Sequence, residues 1–378
     1  MHNGQRYIDS DGHVLEPPDL WEKYLDPAFR DEMPLSHVGY VGDDYAYSLE
    51  CRVKSVSMPT FLSGITAAMP GLKEAYAEYQ NLGWSPEVYR RVLDRSGIDK
   101  MVVYPTVGLF ATSVPTLSAE TAAAYRRAYN RWLNDFCTDC DDRIVGVGSL
   151  DLRDPVEAAR EARRCVVDYG FRALTVHPNP VTIYPLFHEF HDPLWEVLSE
   201  LDVPIGFHSG AGTPLDVGVS HFHDWTAGRG VAAFALGYML VSMAMIGGGV
   251  LERFPRLRVV FLEAGVGWLP YMLDRMQAGI QGSNRDGSRF IPMQGLTMHP
   301  SDYFRRQCFV ASDPDDPDIA HAIEQLGDEC IVTATDFGHP EGRGYMQAID
   351  ETLALKGISD ESKQRIMWDN PARLYGLD

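Results

Sequence analysis

The segment from Asp9 to Glu16 reads Asp-Ser-Asp-Gly-His-Val-Leu-Glu and holds three carboxylates and one imidazole within eight residues. It follows Tyr7-Ile8, a short apolar run that is typical of a buried strand. Because strand side chains alternate between two faces, Asp11 and His13 point to the same side. A carboxylate and an imidazole aimed at one point are suitable ligands for a divalent metal ion. An acidic turn with a helix-capping Asp is the alternative interpretation.

Ionisable side chains also follow four later β-branched runs of the sequence. The four residues are His177 after 173–176, His208 after 204–207, Glu263 after 257–262, and Asp336 after 331–335. Acids and imidazoles crowded at one place repel each other and lose hydration unless something compensates them. A bound divalent cation is the simplest compensation.

Elements that could bring these residues together are visible in the alternation of short apolar runs with helical patterns. Such an alternation indicates a parallel sheet buried on both faces. The eight predicted strands are 7–8, 100–104, 144–149, 173–176, 204–207, 257–262, 307–310 and 331–335. Eight such units fit an α/β fold, the (β/α)8 TIM barrel, better than an open sheet, and functional groups of this barrel lie at the carboxyl ends of its strands.

One long segment, at about 34–86, interrupts the alternation after the first predicted strand. Within it, Asp44 to Ser57 alternates in a way that predicts a small β-hairpin. We expect one domain over residues 1–378, with this segment as a cap-like insertion. An insertion at this position lies on the functional side of a barrel and could cover a pocket. Simple surface decoration is the alternative.

Composition excludes several classes of function. A net charge of −20 argues against a nucleic-acid partner and against an anionic membrane surface. No stretch resembles a signal peptide or approaches the ~20 apolar residues of a membrane span. Six cysteines in 378 residues form no disulfide framework, which favours a reducing, cytoplasmic location. We therefore expect a sizeable hydrophobic core and a small-molecule substrate.

Several motifs carry a resemblance to a known family. They are Asp11-x-His13, His208, Leu262-Glu263-Ala264-Gly265, Ala334-Thr335-Asp336-Phe337-Gly338-His339 and the ending Asn370-Pro371-Ala372-Arg373-Leu374-Tyr375-Gly376. The chain resembles the amidohydrolase superfamily, in the amidohydrolase-related branch that includes aminocarboxymuconate-semialdehyde decarboxylase and the resorcylate decarboxylases. The resemblance spans residues 7–376 apart from the insertion.

The resemblance implies a metal site and suggests a reaction. The family's ligands correspond to Asp11, His13, His208 and Asp336, with Asp11 in place of the first His of the usual His-x-His. They imply one or two divalent ions, Zn²⁺ first and Mn²⁺ or Fe²⁺ as alternatives. The branch's decarboxylases carry a catalytic His after the sixth strand, where this chain has Glu263. This departure favours hydrolysis over decarboxylation, because a Glu cannot replace an imidazolium.

The resulting prediction is a metal-dependent hydrolase in which activated water attacks a carbonyl-type bond. Either Asp336 or Glu263 would take the water's proton. His177 would bind metal, stabilise an oxyanion or hydrogen-bond to a ligand. Glu16 is a further metal ligand, an orienter of a ligand, or a charge at a helix N-terminus.

Weaker assignments and rival functions complete the prediction. His339, His223 and Arg229 are candidate substrate contacts, although surface or supporting roles are equally consistent with their positions. A metal-dependent decarboxylase or hydratase of an aromatic or unsaturated acid is the first rival function. A catalytically inactive barrel that acts as a binding protein is the second. The apolar segment from Gly237 to Ile246 predicts a homodimer interface, with a buried helix as the alternative.

Overall fold

Eight parallel strands form the barrel, and three further strands form a separate antiparallel sheet. The computed structural model describes residues 4–41, 44–51, 56–57, 72–111, 113–209, 215, 217–218, 221–222, 226–281 and 295–377. Its strands are β1 (Ile8–His13), β2 (Pro34–Val41), β3 (Asp44–Cys51), β4 (Val56–Ser57), β5 (Lys100–Tyr104), β6 (Ile144–Ser149), β7 (Ala173–Val176), β8 (Ile205–Phe207), β9 (Val259–Phe261), β10 (Cys308–Ser312) and β11 (Ile331–Thr333). The predicted (β/α)8 barrel is confirmed.

Helices surround these strands, and several of them begin at a residue whose side chain caps the helix. The α-helices are α1 (Leu20–Tyr24), α2 (Leu72–Asn81), α3 (Pro86–Ser96), α4 (Val107–Ala111), α5 (Ala119–Asp139), α6 (Pro155–Val167), α7 (Asp192–Leu201), α8 (Thr226–Ser242), α9 (Val250–Arg253), α10 (Trp268–Gln281), α11 (Pro300–Gln307), α12 (Ile319–Leu326), α13 (Ala348–Ala354), α14 (Asp360–Gln364) and α15 (Asn370–Tyr375). Asp154 caps α6 by accepting from the N–H groups of Val156 and Glu157. None of the helices in the described ranges is long and apolar enough to cross a membrane.

The barrel closes where its first strand meets the segment after its last. The Asp336 N–H donates to the Asp11 carbonyl at 2.8 Å, and the His13 N–H donates to the Phe337 carbonyl at 2.7 Å. The Thr335 N–H donates to Asp9 Oδ1 at 2.9 Å. The closing seam of the barrel therefore runs through the residues that the sequence singled out for metal binding.

Two apolar layers hold the barrel together. Inward-facing side chains such as Val102, Tyr104 and Leu262 fill its interior, while a larger set packs the strands against the helices. The carboxyl-terminal helix α15 contributes Tyr375, whose hydroxyl donates to the Ser10 carbonyl at 3.0 Å. The end of the chain thus contacts the strand that carries the first candidate ligands.

Two local predictions need correction. The first strand extends to His13, so Asp11 and His13 lie within β1 rather than after it; the register of β1 against β5 shifts between Asp9 and Gly12, which lets this polar stretch remain paired. The predicted hairpin at 44–57 corresponds to β3 and β4, but β3 pairs over its whole length with β2, which the prediction omitted.

Candidate functional site

Strands β1 and β8 bring three ligand atoms together at the barrel mouth. Asp11 Oδ1 lies 3.5 Å from His13 Nε2 and 3.3 Å from His208 Nε2. The two imidazole Nε2 atoms are 3.2 Å apart. All three side chains are at most 1% exposed. The structure therefore brings Asp11, His13 and His208 together at one point.

The tautomer of each imidazole follows from the partner of its Nδ1 atom. His13 Nδ1 lies 3.0 Å from the Pro105 carbonyl oxygen, and His208 Nδ1 lies 2.8 Å from the Ser209 carbonyl oxygen. Since a carbonyl oxygen only accepts, each Nδ1 must carry a proton. Each neutral ring then presents an Nε2 lone pair to the other. Metal-ligating histidines are held in this way by a carbonyl on the far side of the ring.

Asp336 approaches the same atoms from the end of β11. Its backbone is in the left-handed region with φ of 54°, a rare conformation outside glycine that turns the side chain inward. Asp336 Oδ1 lies 3.2 Å from His13 Nε2 and 2.9 Å from His339 Nδ1. The left-handed turn after the strand places the predicted carboxylate beside the predicted imidazoles.

The donor atoms fit a divalent cation. Within the described part of the chain, both oxygens of Asp11 and both oxygens of Asp336 are buried without a hydrogen bond. Two carboxylates and two lone pairs facing one another repel unless a cation lies between them. Imidazole nitrogens and carboxylate oxygens are ligands that zinc, manganese and iron accept. A divalent metal ion would compensate both carboxylates, including Asp336, whose Oδ1 also lies 2.9 Å from His339 Nδ1.

Protonation of the cluster is consistent with ligand behaviour. Burial, together with the neighbouring His339, lowers the pKa of His13 to about 4, so the ring is neutral at pH 7. Burial opposes ionisation of Asp336, but His339 and His13 outweigh it and hold the pKa of this carboxyl below its ordinary value. A neutral imidazole and an ionised carboxylate are the forms that bind a metal ion.

Glu16 lies in a different environment from the cluster. Its carboxylate accepts from the backbone N–H groups of Thr106, Val107 and Gly108 at 2.9 to 3.1 Å, where α4 begins. Of the roles predicted for Glu16, this geometry matches the charge at a helix N-terminus. Groups of metal-ligand spacing in the described ranges include Asp11, His13, His208, Asp336 and His339 but not Glu16.

Glu263 and His177 follow β9 and β7, the strands on either side of β8, which His208 follows. Glu263, also left-handed with φ of 62°, places Oε2 at 3.7 Å from His208 Nδ1, and its side chain is 17% exposed. His177 Nδ1 accepts from the Asn179 N–H at 3.0 Å. An Nδ1 that accepts leaves the proton of the neutral ring on Nε2. His177 therefore has the tautomer of a hydrogen-bond donor, opposite to that of His13 and His208.

Of the three candidate substrate contacts, His339 is the one whose side chain the structure describes. His339 stacks on His13 with ring centroids 3.6 Å apart, and its Nε2 lies 3.1 Å from Thr106 Oγ1. His339 thus lies within the cluster of candidate metal ligands, whereas the sequence predicted it as a substrate contact. Arg229 falls in α8 and its side chain lies outside the described residues, as does His223.

Asp313 is a mouth residue that the sequence interpretation missed. It follows β10, the seventh barrel strand, and is exposed on one side. Loss of hydration in the mouth, together with the carboxylates of Asp336 and Asp316, raises the pKa of its carboxyl to about 7. The rule that located His208 and Asp336, an ionisable residue after a strand, misses Asp313 because the predicted strand ends at residue 310, whereas the observed strand ends at Ser312.

Comparison with known proteins identifies the family. The family model described as Amidohydrolase matches residues 8–377. Gamma-resorcylate decarboxylase from Polaromonas sp. is 27% identical, over 76% of this chain and 86% of its own length. The 2-amino-3-carboxymuconate-6-semialdehyde decarboxylase of Dictyostelium discoideum is 22% identical, over 98% and 92% respectively.

Solved structures agree with the barrel. An amidohydrolase from Mycobacterium avium subsp. paratuberculosis superposes with a TM-score of 0.76 at 24% identity, covering 99% of this chain and 100% of its own. A 5-carboxyvanillate decarboxylase from Novosphingobium aromaticivorans, complexed with manganese and 4-hydroxy-3-methoxy-5-nitrobenzoic acid, gives 0.67 at 19% identity, covering 100% and 97%. The chain belongs to the amidohydrolase family, in the branch that contains aminocarboxymuconate-semialdehyde decarboxylase.

Proposed function

We propose that the protein is a metal-dependent decarboxylase that removes the carboxyl group of an aromatic or unsaturated carboxylic acid. The observation that carries this proposal is the buried cluster of Asp11, His13, His208 and Asp336, in a chain with several relatives that are named as decarboxylases. The sequence placed hydrolysis first because Glu263 replaces an imidazole. The relatives support the lyase alternative better. Glu263 is compatible with it, because a carboxyl group can also supply a proton to carbon.

The four residues of the cluster would hold one divalent ion. A bound ion acts as a Lewis acid on substrate oxygens and stabilises negative charge that develops during the reaction. The two groups of candidate ligands share His13, whose single Nε2 lone pair serves one ion, which favours one metal over two. The manganese in the carboxyvanillate decarboxylase makes Mn²⁺ a candidate beside the predicted Zn²⁺.

The chain's own residues supply binding and a proton. His177 Nε2–H would donate to an oxygen of the substrate. When the bond between the ring carbon and the carboxyl carbon breaks, the electron pair stays on the ring carbon, carbon dioxide leaves, and a proton replaces it. Asp313 and Glu263 are the mouth residues whose carboxyl groups could deliver that proton. No oxidant is consumed.

Carbon dioxide release tests this function directly. We expect the Mn²⁺-loaded protein to release carbon dioxide from γ-resorcylate or a related hydroxybenzoic acid, and Asp336→Asn to lower the rate at least ~100-fold. The exposed Asp369→Asn serves as a matched control with an unchanged rate. Acid formation from esters or lactones, with no carbon dioxide from any aromatic or unsaturated acid, would favour the hydrolase. Absence of both activities in a metal-loaded protein would favour the inactive binding protein.

We also propose that the protein forms a homodimer through α8. Leu236, Leu240 and Met243 recur at helical spacing along this helix and its continuation, and each is 38 to 45% exposed. An exposed apolar stripe of this kind is characteristic of an interaction surface. Light scattering should give twice the chain mass, and Leu240→Asp should lower it to one chain mass. A wild-type mass of one chain would reject the dimer.

A further inference from the structure

Two tyrosines outside the barrel strands each bridge a loop that carries candidate ligands. The Tyr76 hydroxyl donates to the His339 carbonyl at 2.9 Å and accepts from the Gly338 N–H at 3.4 Å. The Tyr89 hydroxyl donates to the His13 carbonyl at 2.8 Å and accepts from the Leu15 N–H at 3.3 Å. Each hydroxyl therefore ties together two main-chain groups of one loop, in the same donor–acceptor arrangement.

The aromatic rings of these tyrosines join the two loops. Both Tyr76 and Tyr89 are fully buried. Their rings meet Phe337 edge-on, with centroids 5.9 Å and 5.7 Å away respectively. Phe337 follows Asp336 in the chain, and its carbonyl accepts from the His13 N–H at 2.7 Å. Both tyrosines thus pack against the Phe337 side chain, at the point where the first and last strands of the barrel meet.

The two tyrosines come from helices rather than from strand ends. Tyr76 lies on α2, within the inserted segment, and Tyr89 lies on α3, which follows it. The described end of the insertion therefore packs against a segment that carries candidate ligands. Main-chain hydrogen bonds to a buried hydroxyl fix a loop more tightly than apolar packing alone, because they are directional.

We infer that Tyr76 and Tyr89 are positioning residues for the metal site, which set the separation between the His13 imidazole and the Asp336 carboxylate. Small displacements of a ligand weaken metal binding, and groups that orient ligands typically account for ten- to hundredfold in affinity. The inference rests on the metal site of the proposed function and not on which bond is broken. It gives the inserted segment a role in metal binding.

Hydroxyl removal isolates this role. Tyr76→Phe and Tyr89→Phe keep the ring packing on Phe337 and delete only the hydrogen bonds. Tyr79→Phe is the matched control, since Tyr79 packs on the same ring at 5.9 Å while its hydroxyl pairs with that of Tyr345. Metal-free protein of each variant is titrated with Mn²⁺ against a chelator, and its melting temperature is measured in parallel.

We expect each of the two variants to weaken Mn²⁺ binding about tenfold, and the double variant to weaken it further. Tyr79→Phe should bind within about twofold of the wild type at a similar loss of melting temperature, so that a general loss of stability is separated from positioning. Normal Mn²⁺ binding by Tyr76→Phe and Tyr89→Phe would overturn the inference, as would an equal loss in Tyr79→Phe. Wild-type protein that binds Mn²⁺ but releases no carbon dioxide rejects the decarboxylase alone; wild-type protein that binds no metal rejects both.

Discussion

The Nε2 atoms of His13 and His208 face each other across 3.2 Å, while the Nδ1 atom of each ring lies against a carbonyl oxygen. The carbonyls fix both protons on the far sides of the rings, so two lone pairs meet in a buried space beside the Asp11 carboxylate. Such an arrangement is unfavourable by itself and becomes favourable when a cation lies between the atoms. Metal binding and stability of the barrel mouth are therefore linked.

Removal of the metal should lower stability. A ligand that binds only the folded state stabilises it by about 2.7 kcal/mol when present at a hundred times its dissociation constant. Dialysis against a chelator should therefore lower the melting temperature by several degrees, and Mn²⁺ or Zn²⁺ should restore it, as followed by calorimetry. Mg²⁺ is the control ion, because it prefers oxygen ligands to imidazoles. A melting temperature insensitive to all of these ions would contradict the metal site.

The opposite tautomers of His177 and His208 predict different losses on substitution. His208→Ala removes a lone pair from the cluster and should abolish stoichiometric metal binding. His177→Ala removes a donor to substrate and should leave the bound metal at wild-type stoichiometry while raising KM about tenfold, a loss of ~1.4 kcal/mol. Metal content by atomic spectroscopy and steady-state kinetics distinguish the two. Loss of metal from His177→Ala would show that this ring is a ligand.

Glu16 should matter for stability rather than for metal binding. In the wild type, three backbone N–H groups donate to the Glu16 carboxylate. Replacement by Gln places an amide NH₂ group, itself a donor, against these N–H groups. Leaving such a buried donor unsatisfied costs about 1–3 kcal/mol. We expect denaturant unfolding of Glu16→Gln to show a loss of this size, with an unchanged metal stoichiometry. Unchanged stability together with lost metal would instead restore Glu16 to the ligand set.

Asp313 predicts how stability varies with pH in the metal-free protein. Burial and neighbouring carboxylates raise the pKa of this carboxyl from 3.8 to about 7, so the folded state holds its proton more tightly than the unfolded chain does. The free energy of unfolding should therefore fall as pH rises from about 4 to about 7. Asp313→Asn removes this contribution and should stabilise the protein at pH 8, by about 1 kcal/mol after solvent screening at the mouth, and leave it unchanged at pH 4.

Denaturant melts at these two pH values check the effect of Asp313, with the exposed Asp369→Asn as the control. The control should change stability equally at both pH values. A variant Asp313→Asn that is no more stable than the wild type at pH 8 would contradict the raised pKa.

Much of the barrel and the placement of the candidate ligands could be predicted from sequence because both depend on local rules. Alternation within a strand put Asp11 and His13 on one side, and the position after a strand identified His208 and Asp336. The contacts of Glu16 could not be predicted, because nothing in the sequence pairs residue 16 with the amides of residues 106–108. The same holds for Tyr76 and Tyr89, whose importance arises from helix packing between distant parts of the chain.

The reaction was harder to predict than the site. Glu263 replaces an imidazole that the decarboxylases of the branch carry, and a carboxyl group suits both hydrolysis and proton delivery to carbon. Residue type alone does not separate these reactions. The role of the insertion was equally open, because a roof over the pocket and a surface decoration can have the same composition. Among the described residues, the contact of Tyr76 with the His339 carbonyl places this part of the insertion beside the candidate ligands.

The seam of the barrel joins residues that are far apart in the chain, since the Thr335 N–H and the Asp9 carboxylate that it contacts are separated by 326 positions. Contacts of such long range form late and slowly. During synthesis the first two ligands, Asp11 and His13, leave the ribosome long before Asp336 exists. The full set of proposed ligands exists only in a barrel completed through β11, so we expect metal capture to follow completion of the barrel. Loading with metal would then separate finished molecules from unfinished ones in the cell.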